Sequence, residues 1–168
     1  MVIIDQLSAP TLLTFAHVVT YFNCKTLSLD EWLKNRALAN QIHGGSRTYV
    51  LCNRNHVIGY YALAVGSVLQ EDTHGRFRRN MPNLIPIVVL GRLAIDYAWQ
   101  KRGLGRALVQ DVILRINRAA DIIGVRGILV HALSDQAKSF YESVGFVSSP
   151  LHPLTLMVSI KDARRYLG

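Results

Sequence analysis

The chain has 168 residues, half of them apolar, with 19 Lys and Arg against 11 Asp and Glu, a formal net charge of +8. That length suits one domain around one large core. No run reaches the roughly 18 consecutive apolar residues that a membrane-spanning helix needs, so no membrane role is expected. The positive excess points to a polyanionic partner or to plain solubility, and composition does not choose between them.

In chain order, Met1-Val2-Ile3-Ile4-Asp5 has neither the basic stretch nor the cleavage site of a leader peptide. Cys24 and Cys52 have no metal-ligand spacing, so a cytoplasmic chain with two reduced thiols and no metal is expected. A short helix is predicted near Pro10 to His17. A second opens at Ser28-Leu29-Asp30-Glu31-Trp32-Leu33 and runs to about Ile42, with Ser28 and Glu31 as a capping-box pair and Asp30 and Glu31 complementing the dipole. Leu29, Trp32, Leu33, Ala37 and Leu38 mark its apolar face, and Gly44-Gly45 ends it.

Thr48–Cys52 and Val57–Val65 read as strands joined by a tight hairpin at Asn53-Arg54-Asn55. Glu71 to Asn83 is polar and turn-rich, a loop carrying Arg76-Phe77-Arg78-Arg79. Ile85 to Ile95 reads as the central strand, with Pro86 near its start, where a missing N–H costs little. Leu104, Leu108, Val112, Ile116 and Ala120 recur every four residues, the buried stripe of a helix from Gly103 to about Ala120. Gly127–Ala132 is a buried strand. Asp135–Val144 is a helix with Ser134 as N-cap and Gly145 as its stop. Phe146-Val147 and Thr155–Ile160 are the last strand pieces, and the tail from Lys161 either extends a helix or frays. Strands first, then strand-helix-strand-helix-strand, give an α/β fold: a mixed central sheet with helices on both faces.

The chemistry concentrates between Leu90 and Leu108. An apolar strand delivers Gln100-Lys101-Arg102-Gly103-Leu104-Gly105-Arg106 to a helix N-terminus. Backbone N–H groups without intrahelical partners, the helix dipole and two glycines together make a phosphate site, and Lys101, Arg102 and Arg106 add positive charge. The spacing fits neither a P-loop nor the G-x-G-x-x-G dinucleotide fingerprint, whose third glycine position holds Leu108. Downstream, Ser134 to Phe146 reads S-D-Q-A-K-S-F-Y-E-S-V-G-F.

Together these stretches resemble the two signatures of the GNAT N-acetyltransferases: the coenzyme A diphosphate loop Q/R-x-x-G-x-G/A and the later N-x-x-A-x-x-x-Y-x-x-x-G-F. Ser134 stands where many members carry Asn. The resemblance implies a GNAT fold. It also implies that Leu93, Ala94 and Ile95 align the pantetheine arm through their backbone. Gln100, Lys101, Arg102, Gly103, Leu104, Gly105 and Arg106, with Ser134 and Lys138, would then hold the coenzyme. Tyr141 occupies the position of the general acid that protonates the departing thiolate, a role its phenol can fill at neutral pH. On spacing alone Tyr141 is equally a packed helix aromatic. Asp96 and His131 flank the expected cleft, as a possible base or, in the simpler reading, as a capped strand end and a core histidine.

The periphery resembles a narrower group, the GNAT toxins of bacterial toxin–antitoxin pairs of the TacT/AtaT type. The residues that carry this are Leu29–Leu33 with Arg36-Ala37, Ser46–Val50, Arg78–Pro82 with Ile85-Pro86, Arg92–Asp96, His131–Leu133, Ala137–Tyr141 and Thr155-Leu156. The resemblance implies acetyl transfer from acetyl-CoA to the amino group of charged tRNA, a ribbon–helix–helix antitoxin partner and a homodimer. Lys34, Arg36, Arg76, Arg78, Arg79 and Arg92 are the expected tRNA contacts, since acidic residues are scarce between Arg76 and Arg92. The competing expectations are an acetyltransferase of a small amine or protein N-terminus, and a non-catalytic binding module.

Overall fold

The computed structural model describes residues 7–167; the stretch Met1–Asp5, read above as lacking a leader, lies outside them. The chain builds a seven-stranded sheet in the order β1-β2-β3-β4-β5-β7-β6. The strands are β1 (Thr11–Leu12), β2 (Arg47–Asn53), β3 (His56–Leu69), β4 (Leu84–Ile95), β5 (Gly127–His131), β6 (Val147–Ser148) and β7 (Thr155–Ser159). Two compact units form: one holds the chain up to Leu63 with Arg92–Leu108, the other Ala64–Gly91 with the chain from Val109 onward.

In the first unit, β1 and β2 pair antiparallel, as do β2 and β3, and the hairpin turns at Arg54 in a left-handed conformation (φ 60°). The expected helix at Pro10–His17 is absent. Thr11 and Leu12 instead pair with Val50 and Tyr49, and Leu13 is buried in the core. So short a segment cannot hold a helix by itself, whereas the edge of β2 offers backbone partners at once. The helix expected from Ser28 to Ile42 is two: α1 (Leu27–Asn35) and α2 (Ala37–Ile42), broken at Arg36 (φ −130°). The capping box does not form, because Thr26 is the N-cap and its side chain accepts no bond. Asp30 turns inward, and its Oδ1 accepts from Cys24 N at 2.9 Å. The apolar face holds: Leu33 and Ala37 join Leu13, Phe22, Val50, Val57 and Tyr60 in one core, with Leu29, Trp32 and Leu38 against it. Gln41 explains the break after α1. Its amide donates to Leu13 O at 3.0 Å and its carbonyl accepts from Thr48 N at 2.9 Å, which stitches α2 to the strands. Cys24 and Cys52 are both buried free thiols.

In the second unit, β4 and β5 pair parallel from Ile87–Leu90 against Gly127–Val130. That ladder stops at Leu90, while β4 runs five residues further. β5 pairs antiparallel with β7, and β7 with β6. The loop expected at Glu71–Asn83 contains a 3₁₀ turn (Gln70–Asp72) and the single turn α3 (Gly75–Arg78). Phe77 drives this order: it is fully buried with Ile85, Ile87, Leu129 and Met157. Helix α4 (Leu104–Ala119) keeps the expected stripe, with Leu108, Val112 and Ile116 buried. Helix α5 spans Asp135–Ser143, and the Ser134 hydroxyl accepts from Ala137 N at 3.1 Å, the predicted cap. Gly145 stops it at φ +99°, where only glycine sits without strain and where a Cβ would strike the Tyr166 ring. Ile160, expected at the end of a strand, opens α6 (Ile160–Ala163), because the Ser159 hydroxyl accepts from Asp162 N and turns the chain into a helix; a 3₁₀ turn at Arg164–Tyr166 completes the tail.

Candidate active site

The turn after β4 is latched by its own strand end. Asp96 uses both carboxylate oxygens: Oδ1 accepts from Ala98 N at 2.9 Å and Oδ2 from Asn23 N at 3.0 Å. Its backbone N–H donates to Ile58 O, and Tyr97 N donates to Asn23 O, each at 2.8 Å. With each oxygen held by a backbone donor, Asp96 is the capped strand end. Gln100, expected to touch the coenzyme, turns its side chain inward, donating to Ile95 O at 2.9 Å and Cys24 O at 3.3 Å. The sequence pattern could not show this, because Cys24 lies 76 residues away.

Beyond Gln100 the backbone is left-handed twice, at Lys101 (φ 63°) and Gly103 (φ 78°). A non-glycine residue in that region is uncommon and costs about 1 kcal/mol or more, which the surrounding latch must hold in place. Left-handed residues alternating with ordinary ones turn successive N–H groups toward a common point, the geometry of an anion nest. It leads directly into the N-terminus of the 16-residue helix α4. A Cβ on Gly103 would meet nothing within 4 Å, so the space beside that residue is open. Lys101, Arg102 and Arg106 are exposed around it. Arg102 is not a loose charge: its guanidinium lies 4.6 Å over the Trp99 ring, and Lys25 lies 4.2 Å over Tyr97. This donor set suits a diphosphate.

In the second unit, Ser134, Lys138 and Tyr141 share the cap and body of α5. Tyr141 is 6% exposed and packs edge-on against Phe140 at 5.2 Å and Phe146 at 5.5 Å. Burial pushes the pKa of its phenol well above the ordinary tyrosine value. It therefore keeps its proton throughout the physiological range and can donate but not accept one. Ring packing of this kind equally serves a core tyrosine, so the hydroxyl has to be tested separately from the ring.

The expected basic contacts divide. Lys34, Arg36 and Arg92 belong to the first unit, Arg76, Arg78 and Arg79 to the second. Arg76 does have an acidic partner: it pairs with Asp162, 86 residues on, at 2.6 Å. Arg78 donates to Thr73 O at 2.8 Å, and Arg79 is exposed beside the left-handed Asn80. Arg92 lies 4.3 Å over the Trp32 ring. His131 is exposed, not a core histidine, and its Nδ1 lies 3.0 Å from Thr155 Oγ1 across the β5–β7 ladder. Among the described residues no three His, Cys, Asp or Glu side chains gather as metal ligands, and no helix is long and apolar enough to cross a membrane.

Residues 44–148 match the family model described as acetyltransferase (GNAT) domain. The tRNA-acetylating toxin of Mycobacterium tuberculosis (strain ATCC 25618 / H37Rv) is 51% identical over 161 residues, covering 96% of this chain and 97% of that protein. The structure of AtaT complexed with acetyl-methionyl-tRNAfMet superposes with a TM-score of 0.88 at 26% identity, over 96% of this chain and 99% of AtaT. A tyrosine-to-phenylalanine variant of AtaT, bound to the C-terminus of the antitoxin AtaR and acetyl-CoA, superposes with a TM-score of 0.82 at 28% identity, over 96% and 97% of the two chains. A strand-to-helix turn shaped for a diphosphate, a matching family model and an end-to-end relative agree: this chain belongs to the GNAT acetyltransferase family, alongside the tRNA-acetylating toxin.

Proposed function

We infer that this chain is the toxin of a toxin–antitoxin pair, an acetyl-CoA-dependent N-acetyltransferase that acetylates the amino group carried by charged tRNA. The observation that carries this is the 51% identity with the tRNA-acetylating toxin along nearly the whole of both chains. Once acetylated, the amine has no lone pair free to attack a peptidyl ester, so translation stops.

The residues divide the work as follows. The N–H groups of Leu104, Gly105 and Arg106, the left-handed corner at Lys101 and Gly103, and the cations of Lys101, Arg102 and Arg106 hold the diphosphate of the coenzyme. Gln100 holds the corner itself. Leu93 and Ala94 offer backbone groups to the pantetheine arm; Ile95 offers its N–H, since its carbonyl accepts from Gln100. Ser134 retains a hydroxyl donor and Lys138 a cation for the coenzyme. The α-amine of an aminoacyl ester is less basic than an alkyl amine, so a sizeable fraction is neutral near pH 7 and it needs little help to attack the thioester. Tyr141 gives its proton to the departing thiolate.

The positive residues Lys34, Arg36, Arg78, Arg79 and Arg92 meet the phosphates of the tRNA, and Arg76 joins them only by leaving Asp162. We read the antitoxin as a ribbon–helix–helix protein, the toxin as a homodimer of single GNAT domains, and the cytoplasm, where charged tRNA resides, as the compartment. Incubation with labelled acetyl-CoA and total charged tRNA should label aminoacyl-tRNA. Label confined to small amines or protein N-termini, or no transfer at all, would overturn the reading.

A further inference from the structure

Lys25, Arg92 and Arg102 in the first unit each lie over an aromatic ring. Such pairs occur roughly once per 70–80 residues, so three in one unit ask for a reason. Lys25 and Arg102 cover rings of the diphosphate turn, Tyr97 and Trp99. Arg92 does not belong to that turn. It stands on β4 four residues before Asp96, about 13 Å away along an extended strand. With Leu93 to Ile95 lying beside the pantetheine arm, Arg92 falls at the reacting end of the coenzyme rather than at its phosphates.

Arg92 is held there by a stack of rings. Its guanidinium lies 4.3 Å over Trp32. Trp32 lies nearly parallel to Tyr60, with centroids 6.0 Å apart and planes at 14°. Tyr60 is fully buried, donates its hydroxyl to Leu29 O at 2.7 Å, and receives Phe22 edge-on at 5.5 Å. Tyr60 and Phe22 are locked in the core, and Trp32 is partly buried against it. Arg92 itself is half-buried, and among the described residues no carbonyl or carboxylate accepts from it. Its planar edge of N–H donors is thus fixed in direction and free for a ligand. Lys34 and Arg36 are exposed on and just after the same helix as Trp32, and of that helix's two acids Asp30 is turned inward.

We propose that Trp32 and Arg92 form a phosphodiester clamp for the 3′ end of the RNA substrate. Arg92 takes the phosphate that links the aminoacylated terminal nucleoside to its neighbour, and Trp32 is the positioning residue that keeps the guanidinium plane aimed. This rests on the reading of charged tRNA as substrate and adds that the site demands a nucleotide linkage beside the ester, not an amino-acid ester alone. A bidentate guanidinium–phosphate contact is charge-assisted and directional, which a lysine at the same place cannot reproduce.

The test compares aminoacyl-CpA, which has that one phosphodiester, with aminoacyl-adenosine, which lacks it. The wild-type enzyme should favour the dinucleotide by about 10- to 100-fold in kcat/KM. Arg92→Gln and Trp32→Leu should erase that preference by lowering kcat/KM for aminoacyl-CpA toward the value for aminoacyl-adenosine, and Trp32→Phe should restore much of it. No preference in the wild type, or an equal loss on both substrates in Trp32→Leu, would overturn the clamp. A measurement without catalysis separates this from the parent reading. In Trp99→Phe, Trp32 is the sole tryptophan, and its emission should respond to CpA but not to adenosine. No response to CpA overturns the clamp; a response without acyl transfer to any aminoacylated substrate leaves the clamp standing and removes the proposed reaction.

Discussion

Replacing Asp96 by Asn asks whether this carboxylate shapes the coenzyme turn or takes protons. Its two oxygens hold Ala98 N at 2.9 Å and Asn23 N at 3.0 Å. A hydrogen bond to a charged acceptor contributes about 1.5–3 kcal/mol. The amide keeps one acceptor oxygen and turns an NH₂ group toward the other N–H, so one such bond is lost, about 2 kcal/mol. In a chain of this size that lowers Tm by about 4–8 °C. Because the turn it latches also presents Lys101 and Gly103, KM for acetyl-CoA should rise about tenfold, the equivalent of about 1.4 kcal/mol, with a smaller change in kcat. Thermal melts and steady-state kinetics with charged tRNA at saturation measure both. A kcat that collapses by about 10²-fold or more at unchanged KM is the signature of a general base, and it would refute the assignment of Asp96 as a latch, as would an unaltered Tm together with an unaltered KM.

Tyr141→Phe retains the ring contacts to Phe140 and Phe146, so Tm should move little while single-turnover acetylation falls by about 10²-fold or more; full activity would strip the phenol of its role. Because burial raises its pKa, the wild-type rate should show no alkaline limb near pH 10 from this group. Charge reversal at Arg78 and Arg79 together should weaken charged-tRNA use and flatten its salt dependence by about one unit of log–log slope per lost phosphate contact, with circular dichroism checking that the bond from Arg78 to Thr73 O was not needed for folding; an unchanged slope would remove both residues from the RNA surface. Burial first, then the hydrogen bond with Asp30, pushes the Cys24 thiol up from 9.0 to about 11. A folded-state value above the unfolded one stabilises below the unfolded value and loses that contribution as pH rises through the folded one. The urea midpoint should therefore fall between pH 9 and pH 11 more steeply in the wild type than in Cys24→Ala, and parallel profiles would contradict this.

Features encoded within one turn of chain were legible in the sequence. The Ser134 cap, the Gly145 stop, the apolar stripe of α4 and the basic glycine corner at Lys101–Gly103 each depend on residues three or four apart, and each formed where expected. The expectations that failed were those in which a local pattern competed with a distant partner. Ser28 and Glu31 looked like a capping box, but Cys24 N drew Asp30 inward and Thr26 took the cap. Pro10–His17 looked helical until the edge of β2 supplied better backbone partners. Arg76 looked free of acids because Asp162 stands 86 positions later.

By itself, then, the sequence determined the family, the main strands and helices between Arg47 and Ser159, and the basic glycine corner ahead of α4, because hydrogen-bond chemistry and hydrophobic period repeat over a few residues. Tertiary structure alone decided what locks that corner and aims its neighbours: Asn23 against Asp96, Gln100 turned onto Ile95 and Cys24, Trp32 beneath Arg92. Apart from Gln100 and Ile95, five apart, those pairings join positions 60 or more residues apart. They arise only when strand register has brought two segments alongside, and no periodicity along the chain records which segments those will be.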